Sequence, residues 1–489
     1  MDKGMKRRHF LGATTMGTIC LGSMMRPVSI GAIQAALPMR RGASKTRVGK
    51  IYLGNPYPGW PTPTLDLSEE VGRFESEFSK LAPVLEDIEF VDARLVYSPD
   101  QLPAAMEKFK DVDGILVLHL TLGTGGLMQK LLELNLPVMV FTTPYAGHEW
   151  HTMAPLQKQG KKIDVLPSSD FGDLATAIRP FRAIHRLKEA KVLYLQGGEI
   201  DPQYAKNIRD KFGTEIETVY LPRLEELYKS VDEAQAREDA ERWIKEAEKI
   251  TEPTKDEIIQ ASRMYLALVK WLEEEQADAI TINCLGMGLV QRGMAYPCLG
   301  FSRLNSMGMG GICEADIKST MTHLIFMYLT GKPGFISDPV VDLSNNTIIH
   351  AHCVSAIKMD GPDGDQCPYI IRCHHEDGKS VSLQVKMRLG RTISMARLIG
   401  SDIMLFSTGE IIDNPDVDRG CKTKITTKVK NAQRILANYS CGLHRVIFYG
   451  DHSADLRRFC WFKDIRILHE GEEDLFDIPG LEWETYVHA

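Results

Sequence analysis

The feature that most constrains this chain is a change of rhythm at Asp338. Before it, apolar runs at 48–54, 89–93, 114–119, 137–142, 191–196, 215–221 and 277–283 alternate with segments whose apolar residues recur every three to four positions. Such alternation predicts strand–helix units built on parallel sheets. After it, runs at 347–357, 369–374, 380–387, 392–399 and 403–406 follow one another across Gly or Asp turns. That rhythm predicts antiparallel strands closing into a barrel or sandwich. The fold class is therefore α/β: two doubly wound domains, 46–170 and 171–338, followed by a β-rich, barrel-like C-terminal domain over 339–489. A strand and a helix are expected near the end, at 445–450 and 451–456. Thr254-Lys255-Asp256-Glu257 is a capping box and predicts a helix running to Glu274.

The N-terminus differs in kind. Lys6-Arg7-Arg8-His9-Phe10-Leu11 precedes an uncharged stretch rich in Gly, Thr and Met. Paired arginines followed by Phe-Leu resemble a twin-arginine export signal, here spanning 1–36. The resemblance implies a partner, the twin-arginine translocation machinery, and a periplasmic or extracellular destination. Beyond this stretch no apolar run approaches the roughly 20 residues that span a bilayer.

Removing residues 1–36 takes away five cations and one acid, so the formal charge moves from −7 to −11. An acidic chain of this kind argues against a nucleic-acid partner. Nine cysteines follow the signal without a CxxC pair, which argues against a zinc ribbon and a disulfide framework. Cys284, Cys298, Cys313 and Cys353 lie in apolar stretches and read as small core residues.

Two acids stand where a purely structural account is weak. Glu314 follows the apolar run 309–313 and precedes a helical pattern carried by Ile317, Met321, Leu324, Ile325 and Leu329. Asp338 ends the apolar segment 334–337 and is followed by Pro339, so the strand is expected to stop there. Carboxylates at strand ends of an α/β sheet are placed where ligands bind, and a cation stabilises a buried pair of them. Helix capping by Glu314 or Asp316, and a turn at Asp338, are the competing structural readings. Leu122-Gly123-Thr124-Gly125-Gly126 reads as a plain turn into a helix, and His148-Glu149-Trp150-His151 as a polar loop.

Two α/β domains, a β-rich third, Cys313-Glu314-Ala315-Asp316 opening a helix, a second acid twenty-four residues on, and His444 ahead of the run ending Tyr449-Gly450-Asp451 together resemble the L-fucose isomerase and L-arabinose isomerase superfamily. The resemblance implies Mn²⁺ or another divalent cation such as Mg²⁺, held by Glu314, Asp338 and His444. It adds one further histidine, His350 or His352, with His352 preferred. It also implies a homo-oligomer, and a sugar as the small-molecule substrate. The interval from Asp338 to His444 is shorter than in typical fucose isomerases, and the known family members are cytoplasmic, so the usual sugars are not expected here.

The chemistry suits the residues. Moving a carbonyl between C1 and C2 of a sugar needs a proton removed beside the carbonyl and returned to its neighbour through an enediol. Glu314 and Asp338 are the candidate acid/base groups as well as ligands. Asn55, Trp60, Gln291 and Arg303 are candidates for polar or stacking contacts with the sugar. The competing functions are an exported sugar-binding protein that kept the fold without turnover, and a different metal-dependent reaction on a carbohydrate.

Overall fold

A computed structural model describes residues 43–146, 149–439 and 442–474. The stretch read as an export signal lies outside them. The first unit is a parallel sheet of β1 (Thr46–Leu53), β2 (Ile88–Val96), β3 (Gly114–His119), β4 (Val138–Thr142) and β5 (Ile163–Pro167), in the order β2-β1-β3-β4-β5. Its helices are α1 (Leu67–Lys80), α2 (Leu102–Lys108), α3 (Gly125–Leu131), α4 (Trp150–Lys158) and α5 (Asp173–Glu189). Successive side chains of a strand point to opposite faces. Val48 and Tyr52 of β1 accordingly join one core with Phe74 of α1 and Phe181 of α5, while Ile51 and Leu53 join another with Leu102 of α2 and Leu131 of α3. Gly114 lets α5 lie directly on the sheet, because a Cβ there would stand 2.2 Å from the Phe181 ring.

The turn at 122–126 does lead into a helix, α3, as its glycines predict. Of the polar loop expected at 148–151, His148 lies outside the described residues, Trp150 and His151 begin α4, and Glu149 just ahead of it is not an ordinary loop residue. Its carboxylate accepts from the backbone N–H groups of Gly123 at 2.9 Å, Thr124 at 3.1 Å and Gly125 at 3.3 Å, and from the Thr124 hydroxyl at 2.8 Å. His119 Nε2 lies 3.0 Å away. The protein's own carboxylate thus fills the amide nest that follows β3.

The second unit holds β6 (Lys191–Leu195) and β7 (Glu215–Thr218), then α6 (Pro202–Phe212) between them, α7 (Leu221–Ser230) and α8 (Glu233–Glu246). The two-residue β8 (Lys249–Ile250) and α9 (Lys255–Glu274) follow, and α9 carries the predicted capping box at Thr254 and Glu257. Next come β9 (Ala279–Ile282), α10 (Cys298–Ser306), β10 (Gly310–Cys313) and α11 (Ile317–Thr330). The sheet is parallel, in the order β10-β9-β6-β7. At Gly311 a Cβ would meet Phe301 Cα at 2.7 Å, so glycine is what brings α10 against β10. α11 is buried at every position from Ser319 to Thr330, as a helix apolar on all sides must be. The α5 helix serves both units: Ile178 and Phe181 sit in the first core, Ala183 and Leu187 in the second.

The last unit is a closed antiparallel barrel. β11 (Phe335–Asp342), β12 (Thr347–His352), β15 (Thr392–Ile399), β16 (Ile403–Asp413), β17 (Thr423–Val429) and β18 (Arg445–Tyr449) run in the order β15-β18-β11-β12-β17-β16, and β15 pairs with β16 to shut the ring. Phe335, Ile348, Ile393, Ile411, Ile425 and Ile447 fill it. The helix α12 (Ala432–Ala437) lies between β17 and β18, α13 (Ser453–Lys463) follows β18, and β19 (Arg466–His469) adds in parallel to β16.

Two expectations are corrected here. The runs at 369–374 and 380–387 form β13 (Tyr369–Arg372) and β14 (Ser382–Val385), which pair with each other and with β8 rather than joining the barrel. Their apolar face is taken by the second unit: Tyr369 packs edge-on against Trp243 at 5.4 Å and its hydroxyl donates to Trp243 O at 3.0 Å. The strand ending at Asp338 in the sequence reading continues to Asp342. Proline fits there because the Pro339 carbonyl accepts from the Tyr439 hydroxyl. Its nitrogen, on the same side of an extended residue, faces away from the β12 ladder.

Burial would raise the Glu149 carboxyl, but His119, Thr124 and the amide of Gly123 outweigh it and bring it down to about 2. The stability it contributes is complete above its ordinary value of 4.5 and disappears as pH falls toward about 2. Glu149→Gln should cost about 1–3 kcal/mol at neutral pH, read as a lower urea midpoint. The difference from the parent should shrink as the medium is acidified; a gap that persisted in acid would contradict this account.

Candidate metal centre

Four side chains from distant parts of the chain converge where the carboxyl end of β10 meets one end of the barrel. Glu314 follows β10 directly. It and Ala315 both take left-handed backbone conformations, with φ of 62° and 52°. Neither is glycine, so the turn is strained and is held by what surrounds it. Asp338 comes from β11 opposite Ala351, and His352 closes β12. His444 immediately precedes β18.

The geometry is tight. His444 Nε2 lies 3.4 Å from Glu314 Oε2 and 3.2 Å from Asp338 Oδ1. His352 Nε2 lies 3.4 Å from Glu314 Oε1, and the two imidazole centroids are 5.5 Å apart. Glu314, His352 and His444 each offer a ligand atom within 4.8 Å of the others, so this group could hold a metal ion. Both imidazoles are buried, yet their Nε2 atoms make no hydrogen bond. The Glu314 and Asp338 side chains remain 37% and 33% exposed, which leaves the group open to a ligand from solvent.

One residue orients the cluster without belonging to it. Asp316 caps α11, accepting from the Ser319 N–H at 2.9 Å and the Ser319 hydroxyl at 2.7 Å. The same carboxylate accepts from Arg397 at 2.8 Å and from His444 Nδ1 at 2.8 Å. With its Nδ1 proton held there, His444 turns Nε2 toward Glu314 and Asp338. Capping was one reading of Asp316 in the sequence; its hold on His444 was missed. Arg397 was missed altogether.

His352 is set up differently. Its Nδ1 accepts the backbone N–H of Cys353 at 2.9 Å, so in the neutral ring the proton sits on Nε2. To coordinate through Nε2 it must move that proton to Nδ1 and give up the bond. His350 is turned away from the group: its Nδ1 lies 3.0 Å from the Ser337 hydroxyl, and it is fully buried.

The charges reinforce one another. Burial alone would raise the Glu314 carboxyl, but His352 and His444 hold it well below the usual carboxylate range. Burial opposes the charge on Asp316 too, and Arg397 followed by His444 more than compensates. Burial would lower the His444 imidazole, yet Asp316, Asp338 and Glu314 hold it well above its ordinary value.

The remaining sequence candidates sit elsewhere. Asn55 follows β1, where its N–H donates to the Thr121 hydroxyl at 2.6 Å and its side chain accepts from the Tyr57 N–H. Trp60 lies in the same loop, and Gln291 is in a single exposed turn at Val290–Arg292. Arg303 binds Asp239 at 2.7 Å between the rings of Trp243 and Tyr265, on the wall of a separate cavity of about 470 Å³.

No protein-family model matches this chain, and no curated protein matches it either. Among the described residues no helix is long and apolar enough to cross a membrane.

Asp316→Asn should weaken divalent-cation binding about 10–100-fold, measured by isothermal titration with Mn²⁺, while far-UV circular dichroism stays that of the parent. Because His444 carries a proton to unusually high pH, an ion must displace it. Affinity should therefore fall as the medium is acidified, with proton release visible as a dependence of the binding heat on the buffer. Equal affinity at pH 6 and pH 8 would contradict that competition.

Proposed function

We propose that the chain is a metal-dependent aldose–ketose isomerase acting on a sugar, with the cation held by Glu314, Asp338 and His444. The observation that supports this reading is the convergence of Glu314, His352 and His444, whose ligand atoms lie within 4.8 Å of one another, with Asp338 3.2 Å from the shared His444 Nε2. When bound, a divalent cation acts as a Lewis acid toward the two neighbouring oxygens at which charge develops. Glu314 and Asp338 are the groups placed to take a proton from one of the two adjacent sugar carbons and return it to the other. His352 serves best as a donor: its Nε2–H reaches a sugar oxygen and so satisfies a proton that has no protein partner. Asp316 and Arg397 are positioning residues that act through His444.

The wider reading goes with this proposal. Both parallel units are doubly wound, the protein is exported folded through the twin-arginine route, and it works as a homo-oligomer. A site loaded with a weakly held ion before export avoids competition from copper and zinc outside.

Solvent-isotope exchange at C2 across a panel of aldoses and ketoses tests the chemistry without assuming the product. At least one sugar should incorporate deuterium, and Glu314→Gln should abolish incorporation with the fold intact. A metal-loaded protein that binds sugars without exchanging the proton would replace the enzyme by a binding protein. His352→Phe should retain one metal per chain by elemental analysis and lose about tenfold or more in sugar affinity. Loss of the metal from that variant would instead make His352 a ligand.

A further inference from the structure

The cavity of about 470 Å³ beside Arg303 has no part in the metal chemistry. Its volume is that of a small-molecule site. Trp243 and Glu246 of α8, Ser306 and Met307 at the end of α10, and Ile357 with Lys358 of the loop after β12 form its walls. These walls are fixed in advance. Ser306 Oγ accepts the Ile357 N–H at 2.9 Å and donates to Ser302 O at 2.7 Å, and the Asn305 side chain holds both Gly311 N and Gly311 O, at 2.8 and 3.0 Å. The loop, α10 and β10 therefore need not be ordered by a ligand.

The charges on the walls say what such a ligand carries. The Arg303 guanidinium is held between the rings of Trp243 and Tyr265, at 5.3 and 5.1 Å from their centroids, and its Nη1 donates to Asp239 Oδ1 at 2.7 Å. Its Nε and Nη2 make no hydrogen bond among the described residues, and the side chain is 25% exposed. A free guanidinium edge of this kind matches the two oxygens of a carboxylate. Lys358 is a second cation: its ammonium donates to Pro362 O at 2.8 Å and forms no ion pair among the described residues. Against them stand the exposed carboxylate of Glu246 on the rim and the carboxyl ends of α8 and α10, which carry partial negative charge. That balance admits one negative charge and disfavours two. We propose that this cavity is a binding site for a small organic monocarboxylate, its carboxylate on the free edge of Arg303 and its apolar or aromatic body against Trp243, Met307 and Ile357.

The site does not depend on the metal reading, so the test is run on the full chain with a chelator present. Benzoate serves as the probe, titrated by saturation-transfer NMR, with benzamide as its uncharged counterpart and phenyl phosphate as its dianionic one. Benzoate should bind saturably, and the other two about tenfold or more weakly. Arg303→Met should lower benzoate affinity about tenfold or more. Because that change also strips Asp239 of its partner, Met307→Trp is the second variant: it fills the cavity from a position that is 45% exposed, and should abolish binding while circular dichroism stays that of the parent. No saturable benzoate signal, or benzamide binding as well as benzoate, would overturn the proposal. Phenyl phosphate binding as tightly as benzoate would overturn the single charge, and undiminished affinity in Met307→Trp would overturn the location.

Discussion

The carboxylate of Asp316 is the joint on which the arrangement rests. It ends the strained turn that carries Glu314, starts the buried helix α11, and binds both Arg397 of the barrel and the Nδ1 proton of His444. A buried carboxylate is stable only if it is fully satisfied. Here that satisfaction is supplied by the α11 N-terminus, a guanidinium and an imidazole from three separate elements. Removing the acid would leave Arg397 with a buried charge and free His444 to turn. The parallel sheet and the barrel are thus held in one register by the same contact that aims the imidazole.

Only part of the candidate site carries local signals in the sequence. Glu314 and Asp338 are acids next to apolar runs, whereas His352 and His444 were indicated by the resemblance alone. What supports them was not legible. Asp316 has the spacing of an ordinary cap, and Arg397, 81 residues further on, looks like any arginine in a strand. Glu149 shows the same limit: its amide partners come from a turn about 25 residues earlier, so nothing beside it marks a buried anion.

The fold followed a similar division. Alternating strands and helices gave the parallel units, and closely spaced strands gave a β-rich end. Which strand pairs with which was another matter, because alternation names the face a side chain takes and not the neighbour it meets. Hence β13 and β14 were assigned to the barrel, although Tyr369 is anchored on Trp243 of the second unit. β17, with the sequence TKITTKV, was overlooked because its lysines and threonines hide the two inward residues, Ile425 and Val429.

The shared helix α5 has a consequence of its own. Its first turns complete the core beneath β1, and its last turns complete the one beneath β6. Neither half of the chain possesses a whole interior without it. The two parallel units are therefore modules in topology only: cleaving the polypeptide between them strands one of the two with an open hydrophobic flank, so thermal melting is obliged to take both down together.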